Sequence, residues 1–495
     1  MAATLVLLGA GPAAAFCGFY AGSADSELTN RATLVVMMRD GTRTVLSMRN
    51  HYEGPTEGFA MVVPVPTVLS EDDVNTLDAE VFDRVDTLAA PRLVEYWEQD
   101  PCGVPDVYAR DDLDLAPMSA PTAESADEGS YGPTTVTIEA EFAVAEYDIV
   151  ILGAEDSLGL ERWLHQNGYA VPEGAASVLR PYVEQGTKFF VARVDPERIT
   201  SWRGEHAILS PLRVQYESEQ LNLPVRLGLM NADGAQDLIV HVLARNQRFE
   251  AANYENVTIP TNLRVSDAAL DSFGVFYNSL VDRVLERHPN AVITEYAWGA
   301  SGCDPCPGPV LDTEDLVTLG LDVVGGDPMG FVLSRMHYRY TADTLGDDIV
   351  FRAADPVHGG RGSPSTEGTF DEGAREAGSN NFQARYAVLH DWEGEVACED
   401  PQRGRWGGPP GGGEPPARAA RDLAFVAERA SLDSYLTAPS DLAVATSHAD
   451  DVRPNLIGRR IGGGCGCGSP GRYTTTASMG LPLLLLPVMV RRRRR

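Results

Sequence analysis

The stretch Thr33-Leu34-Val35-Val36-Met37-Met38-Arg39-Asp40-Gly41-Thr42-Arg43-Thr44-Val45-Leu46-Ser47-Met48 decides the fold. Two runs of β-branched and long apolar side chains flank Asp40-Gly41, a pair that tolerates the positive φ of a two-residue hairpin turn. An antiparallel pair is therefore expected. Working outward, Phe59 to Val65 is a third apolar run, but Pro64 and Pro66 lack the N–H of a central ladder, which places it at a sheet edge or end. Ser70 to Asp73 reads as a helix start, with Val81, Val85 and Leu88 at helical spacing before the Pro91 break. Alternation resumes in Val136, Ile138 and Ala140 and in Tyr147 to Leu152. Asp156 or Ser157 caps a short helix closed by Gly168, Pro172 suits a first helical turn, and Pro181 interrupts the helix begun there.

Leu212 to Tyr216, Leu221 to Leu229 and Leu238 to Leu243 read as an antiparallel meander. Phe273, Phe276, Tyr277, Leu280 and Val284 mark one face of a helix that stops at His288-Pro289, and Val292 to Trp298 returns to strand character. Later strand candidates are Phe331 to Tyr340, Asp348 to Arg352 and Phe382 to Val388. Strands outnumber helices without regular alternation, so the expected class is α+β, mainly antiparallel sheets with a few short helices and a Gly/Pro-rich C-terminal stalk.

The 495 residues are 43% hydrophobic and 22% charged, a globular composition, with a formal net charge of −31. Such acidity repels phosphate backbones and anionic headgroups, which disfavours nucleic-acid binding and electrostatic membrane adsorption as global activities.

The two ends carry address signals. Leu5 to Ala15 is apolar and ends in Ala13-Ala14-Ala15, the small-residue pattern of a signal-peptidase site, although no Lys or Arg precedes it. Cleavage after Ala15 is expected, removing residues 1–15. At the other end Gly462-Gly463-Gly464-Cys465-Gly466-Cys467-Gly468 leads into an apolar segment, 474–490, that stops at Arg491 to Arg495; the positive-inside bias would hold these arginines in the cytoplasm. Between the ends, 16–102 reads as the N-terminal part of the body, 103–133 as an acidic loop or linker, 134–400 as the main part and 401–464 as a Gly/Pro-rich stalk and spacer. A C-terminal signal occupies 465–495.

The Cys-containing Gly-rich motif, apolar segment and Arg cluster resemble, in that order, the C-terminal sorting signals of myxobacterial surface proteins. That resemblance implies that a membrane protease recognises Cys465 and Cys467 and removes the helix. An ordinary tail anchor is the alternative, with membrane association through this segment alone. The strings Phe16-Cys17-Gly18-Phe19-Tyr20, Phe59 to Pro66, Glu95 to Cys102 and Asn380 to Tyr386 are similar to the bacterial domain of unknown function 2330, found in secreted proteins. The resemblance implies export and carries no activity.

Cys303-Asp304-Pro305-Cys306 is the sharpest chemical motif. A redox pair should open a helix that lowers one thiol pKa, whereas Pro305, Pro307 and Pro309 oppose a helix here. A disulfide closing a tight loop is expected, with an exported thiol-disulfide redox protein as the alternative. Among Cys17, Cys102 and Cys398, pairing of Cys102 with either of the others remains open, leaving one free thiol. Histidine spacing fits no metal motif, Asp111, Asp112 and Asp114 read as a solvated run, and Gly359-Gly360-Arg361-Gly362 reads as a turn. Lys188 is the only lysine, attributed to an Arg-biased composition. The sequence thus points to a surface-displayed binding or structural module, cell-surface or extracellular, with no catalytic residue, cofactor or metal assigned. Its expected partners are signal peptidase, a sorting protease and an envelope or extracellular ligand.

Overall fold

The computed structural model describes residues 19–21, 29–53, 60–103 and 136–447, with short breaks at 170, 172–173, 204–205, 232–233, 420–427 and 439. The hairpin forms at Asp40-Gly41: Thr29–Asp40 and Arg43–Glu53 run antiparallel, Asp40 opposite Arg43, with Gly41 at φ 58°. It sits inside a twelve-stranded sheet. The main path runs Ala374–Glu376, Val357–Gly359, Asn381–Gln383, Val292–Gly299, Phe331–Tyr340, Gln236–Arg245, Thr29–Asp40, Arg43–Glu53, Leu212–Glu217, Val74–Thr76. Most neighbours are antiparallel, but Gln236–Arg245 runs parallel to Thr29–Asp40.

Both faces of this sheet are buried, which is why its strands read as near-continuous apolar runs. Val35, Met37, Leu46 and Met48 face a second, five-stranded antiparallel sheet through Met61, Val63, Ile149, Ile151, Phe190 and Ala192. Helices Ser157–Gln166 and Ala175–Glu184 cover the outer face of that second sheet. Val36, Met38, Val45 and Leu333 face the other way, towards helix Glu80–Ala89 and the 313–324 helical segment. Helix Phe273–Arg287 covers Ile293 and Ala297 on that side. The layers are helix, sheet, sheet, helix, and the class is α+β.

A smaller sheet pairs Arg385–His390 in parallel with Arg92–Glu98, so that Arg385 lies directly beside Arg92. Trp406–Gly407 and Ala417–Ala419 add to the Arg92–Glu98 strand, so the start of the 401–464 segment read as a stalk and spacer pairs with the body. Its glycines permit close approach instead: a Cβ on Gly404 would lie 2.1 Å from Thr366 O, and one on Gly408 1.9 Å from Gly413 O. Glu98 accepts from the Gly404 N–H at 2.7 Å. The segment from 401 to 419 is therefore part of the body and not a stalk.

Other local readings change as well. Ser70 caps only a 3₁₀ turn, Glu71–Asp73, and the helix starts at Glu80. Pro181 lies within a helix that runs on to Glu184, its carbonyl still accepting from the Gln185 N–H at 3.2 Å. The expected meander does not form. Leu212–Glu217 pairs with Arg43–Glu53, and Leu221–Leu223 gives way to a 3₁₀ turn over Arg226–Asn231. The turn is anchored by Asp348, whose carboxylate accepts from the Val225 N–H at 2.8 Å and the Arg226 N–H at 3.1 Å. Among the described residues Phe19–Ala21 pairs with Ala60–Val62, and Pro64 stands opposite Phe189 of the Lys188–Val194 strand. Ala15, Cys17, Asp111, Asp112, Asp114, Cys465, Cys467 and the 474–490 segment lie outside the described residues. Among the described residues no helix is long and apolar enough to cross a membrane.

Candidate functional site

Two polar assemblies lie on the helix-covered side of the large sheet, and they differ in charge balance. The first grows from the Phe331–Tyr340 strand, where Arg335, His337 and Arg339 alternate onto one face. Arg335 Nε donates to Glu295 Oε2 at 2.6 Å, and its NH1 reaches Asp86 and, at 3.3 Å, His241 Nε2. His337 Nε2 donates to Asp237 Oδ1 at 2.6 Å while Nδ1 faces Glu295 Oε1 at 3.2 Å. Arg339 Nε donates to Asp237 at 2.7 Å and NH1 reaches Asp282, which also accepts from Arg429 Nε at 2.6 Å.

Burial opposes charge here, yet the partners prevail. Burial would raise the Asp237 and Glu295 carboxyls, but Arg339 and Arg335 respectively, each with His337, hold them below the usual carboxylate range. Burial would lower His337, but Asp237 and Glu295 hold it above the ordinary imidazole value. His241 goes the other way, pushed well down by burial and by Arg335, and is neutral. Cations and carboxylates match in this network, so its groups are committed to one another.

The second assembly lies under the Cys303–Cys306 loop. Arg92 and Arg385, 0% and 2% exposed, start adjacent strands, and Arg361 leaves the end of the Val357–Gly359 strand towards them. Arg385 donates to Asn262 Oδ1 at 2.8 Å, Tyr96 Oη at 3.1 Å and Gly362 O at 2.6 Å. Arg92 donates to Leu88 O at 2.5 Å and Pro305 O at 2.9 Å. Arg361 lies over the Trp298 ring at 3.9 Å and donates to Asp304 Oδ2 at 2.6 Å and Asn381 Oδ1 at 3.1 Å. Burial, with Arg361 and Arg385 nearby, brings the Arg92 guanidinium down to about 10. Among the described residues Asp304 is the one carboxylate paired with these three cations, while buried Arg92 Nε, Arg361 Nε and Gln383 Oε1 have no hydrogen-bond partner there. A hydrogen-bonding oxyanion is what such a set can hold.

Cys303 and Cys306 are joined by a disulfide, Cα to Cα 5.0 Å, with Cys303 packed on the core and Cys306 exposed. No helix opens at either sulfur; the next begins at Thr313, capped by Asp312. Cys102 pairs with Cys398 across 296 residues, resolving the open alternative. Lys188 forms an ion pair with Glu139 at 2.6 Å. Among the described residues no three His, Cys, Asp or Glu side chains gather as a metal site.

A family model described as an uncharacterized protein conserved in bacteria (DUF2330) matches residues 11–352. The chain belongs to the DUF2330 family. No curated protein and no solved structure matches it. Within the DUF2330 match lie the strings at 16–20, 59–66 and 95–102, and Arg92; Asn380 to Tyr386, Arg361 and Arg385 lie beyond it, so the arginine cluster joins residues from both sides of that boundary.

The arginine cluster was hidden in the sequence behind glycines. Arg361 stands in what reads as a plain turn, but a Cβ on Gly360 would lie 1.9 Å from Gln383 O, so that glycine lets the backbone carry Arg361 inward. The balanced network did leave a signal, since Arg335, His337 and Arg339 fall on alternate positions of a mostly apolar strand.

Proposed function

We propose that this DUF2330 protein is exported and displayed at the cell surface or released from it, as a binding or structural module of the bacterial envelope. The observation that carries the reading is the Cys102–Cys398 disulfide. It ties the Arg92–Glu98 strand to the segment after Arg385–His390, a crosslink that persists in an oxidising compartment and is rare in a reducing one. Glu295, Asp237, His337, Arg335 and Arg339 support a structural role for the interior, because each is engaged by another member of the set. Signal peptidase acting after Ala15 and a sorting protease acting at Cys465 and Cys467 would be the processing partners.

The test is intact-mass analysis of the protein recovered from surface and cytoplasmic fractions. The expected product lacks residues 1–15 and is found at the surface, and joint replacement of Cys465 and Cys467 by Ser leaves the Arg-tailed form. A cytoplasmic protein that keeps Met1 to Ala15 would overturn the reading. Unchanged processing in the double variant would point to a simple tail anchor.

A further inference from the structure

We propose that Arg92, Arg361 and Arg385 form a binding site for a small oxyanion group, a phosphate or a carboxylate, which takes the place of the Asp304 carboxylate on Arg361. The inference deepens the binding reading above, and it rests on charge and unmet hydrogen bonding in one place. Elsewhere in the interior Arg335 faces Glu295 and Asp86, Arg339 faces Asp237 and Asp282, and Arg213 faces Asp322. Here Asp304 pairs with Arg361, and Arg92 and Arg385 have no carboxylate partner among the described residues. Arg92 and Arg385 are moreover direct neighbours on parallel strands, an arrangement of like charges that destabilises a sheet unless something compensates.

Hydrogen bonding points the same way. Arg92 is fully buried, yet its Nε has no acceptor among the described residues, and neither does Arg361 Nε. A buried donor left unmet is costly, and it counts here because Arg92 has no carboxylate among the described residues, unlike Arg213, whose Nε is also unmet but which holds Asp322. Asp304 occupies that role incompletely. Its side chain is 65% exposed, at the rim, whereas that of Arg361 is 18% exposed. An incoming oxyanion can therefore displace the Asp304 carboxylate into water without disturbing the buried pair behind it. The rim is held by the loop backbone, through Arg92 on Pro305 O at 2.9 Å and Gln383 Nε2 on Asp304 O at 2.8 Å. Trp298, under Arg361, forms one wall.

The experiment is a calorimetric titration of the full chain with inorganic phosphate at constant ionic strength, with acetate as a second arm and chloride as the reference. Phosphate or acetate should bind measurably above chloride, and the stronger arm names the oxyanion. Asp304→Asn removes the competing carboxylate and should tighten binding about two- to fivefold. Arg361→Gln should abolish it. Asp304 lies at the rim and Arg361 is half-buried behind it, and circular dichroism verifies that the variants fold. Responses equal to chloride in both arms, an Asp304→Asn variant that binds no tighter than the parent, or an Arg361→Gln variant that binds as the parent does would each overturn the proposal. Since the titration uses purified protein, its failure leaves surface delivery standing, and mislocalisation leaves the site standing.

Discussion

Replacing Arg335 by methionine tests whether the buried network is held by its charges. Methionine keeps much of the aliphatic volume and removes the guanidinium. Arg335 has a side chain 3% exposed, paired with Glu295 at 0% and Asp86 at 10%. Its loss strands two carboxylates in the interior, and breaking a buried pair from one side costs about 3–5 kcal/mol. That is a large part of the roughly 5–15 kcal/mol that holds a typical domain. The charge argument also fixes the pH dependence. With Arg335 present the folded Glu295 carboxyl is held down by Arg335 and His337; without Arg335, burial is opposed by His337 alone and drives the same carboxyl up. A carboxyl with a raised folded pKa penalises folding at high pH and recovers as it takes up a proton, so the deficit of Arg335→Met should shrink between pH 8 and pH 5. Urea unfolding at several pH values measures both quantities. The triple variant Arg335→Met, Glu295→Gln, Asp86→Asn should recover part of the loss, because it removes both stranded charges while Asp237 still holds His337. A deficit below about 1 kcal/mol, or one independent of pH, would refute the reasoning.

Three further outcomes are expected. In the chain-entropy account the Cys102–Cys398 crosslink contributes on the order of 5 kcal/mol and the short Cys303–Cys306 loop roughly 2, so thermal melts of the two Cys→Ser double variants should rank in that order. Gly320 has φ 134° and a Cβ there would lie 2.7 Å from Val45 Cβ, so Gly320→Ala should cost about 2–5 kcal/mol in urea unfolding. The raised His337 contributes stability that is complete below about pH 6.5 and is lost as pH rises through its folded value, and His337→Gln should remove that alkaline loss.

How much could be read from the residues depends on the range of the interaction involved. The hairpin was legible because Asp40-Gly41 sets its own turn, and the Phe273–Arg287 helix because its apolar face repeats every three or four residues. Sheet order was not. The alternation of Leu221, Leu223, Val225 and Leu227 records burial, and all four are indeed at most 3% exposed, but an extended strand followed by a 3₁₀ turn buries them as well as a meander does. The partner that decides between the two, Asp348, lies over a hundred residues away. The pairing of the 401–419 segment is hidden for a related reason. Glycine composition reports conformational freedom, whereas here Gly404 and Gly408 serve neighbours that leave no room for a side chain. Arg361 escaped notice by the same route, its flanking glycines suggesting a bare turn.

An excess of cations inside a chain of net charge −31 also limits what can reach them. Exposed charges more than about 8 Å apart are largely screened at physiological salt. A small oxyanion near the rim therefore responds mainly to Arg361, Arg92 and Arg385, and the distant acidic surface does little to repel it. A polyanion is in a different position, since a nucleic acid or an anionic lipid surface must bring many further charges against that acidic exterior. Depth acts in the same direction: Arg92 and Arg385 are almost wholly buried, so only a group that projects past Arg361 can share their charge. Size and total charge thus favour a compact ligand, or a single oxyanion group on a larger neutral one. Within that class Asp304 sets the threshold, because any ligand must hold Arg361 better than the carboxylate already there.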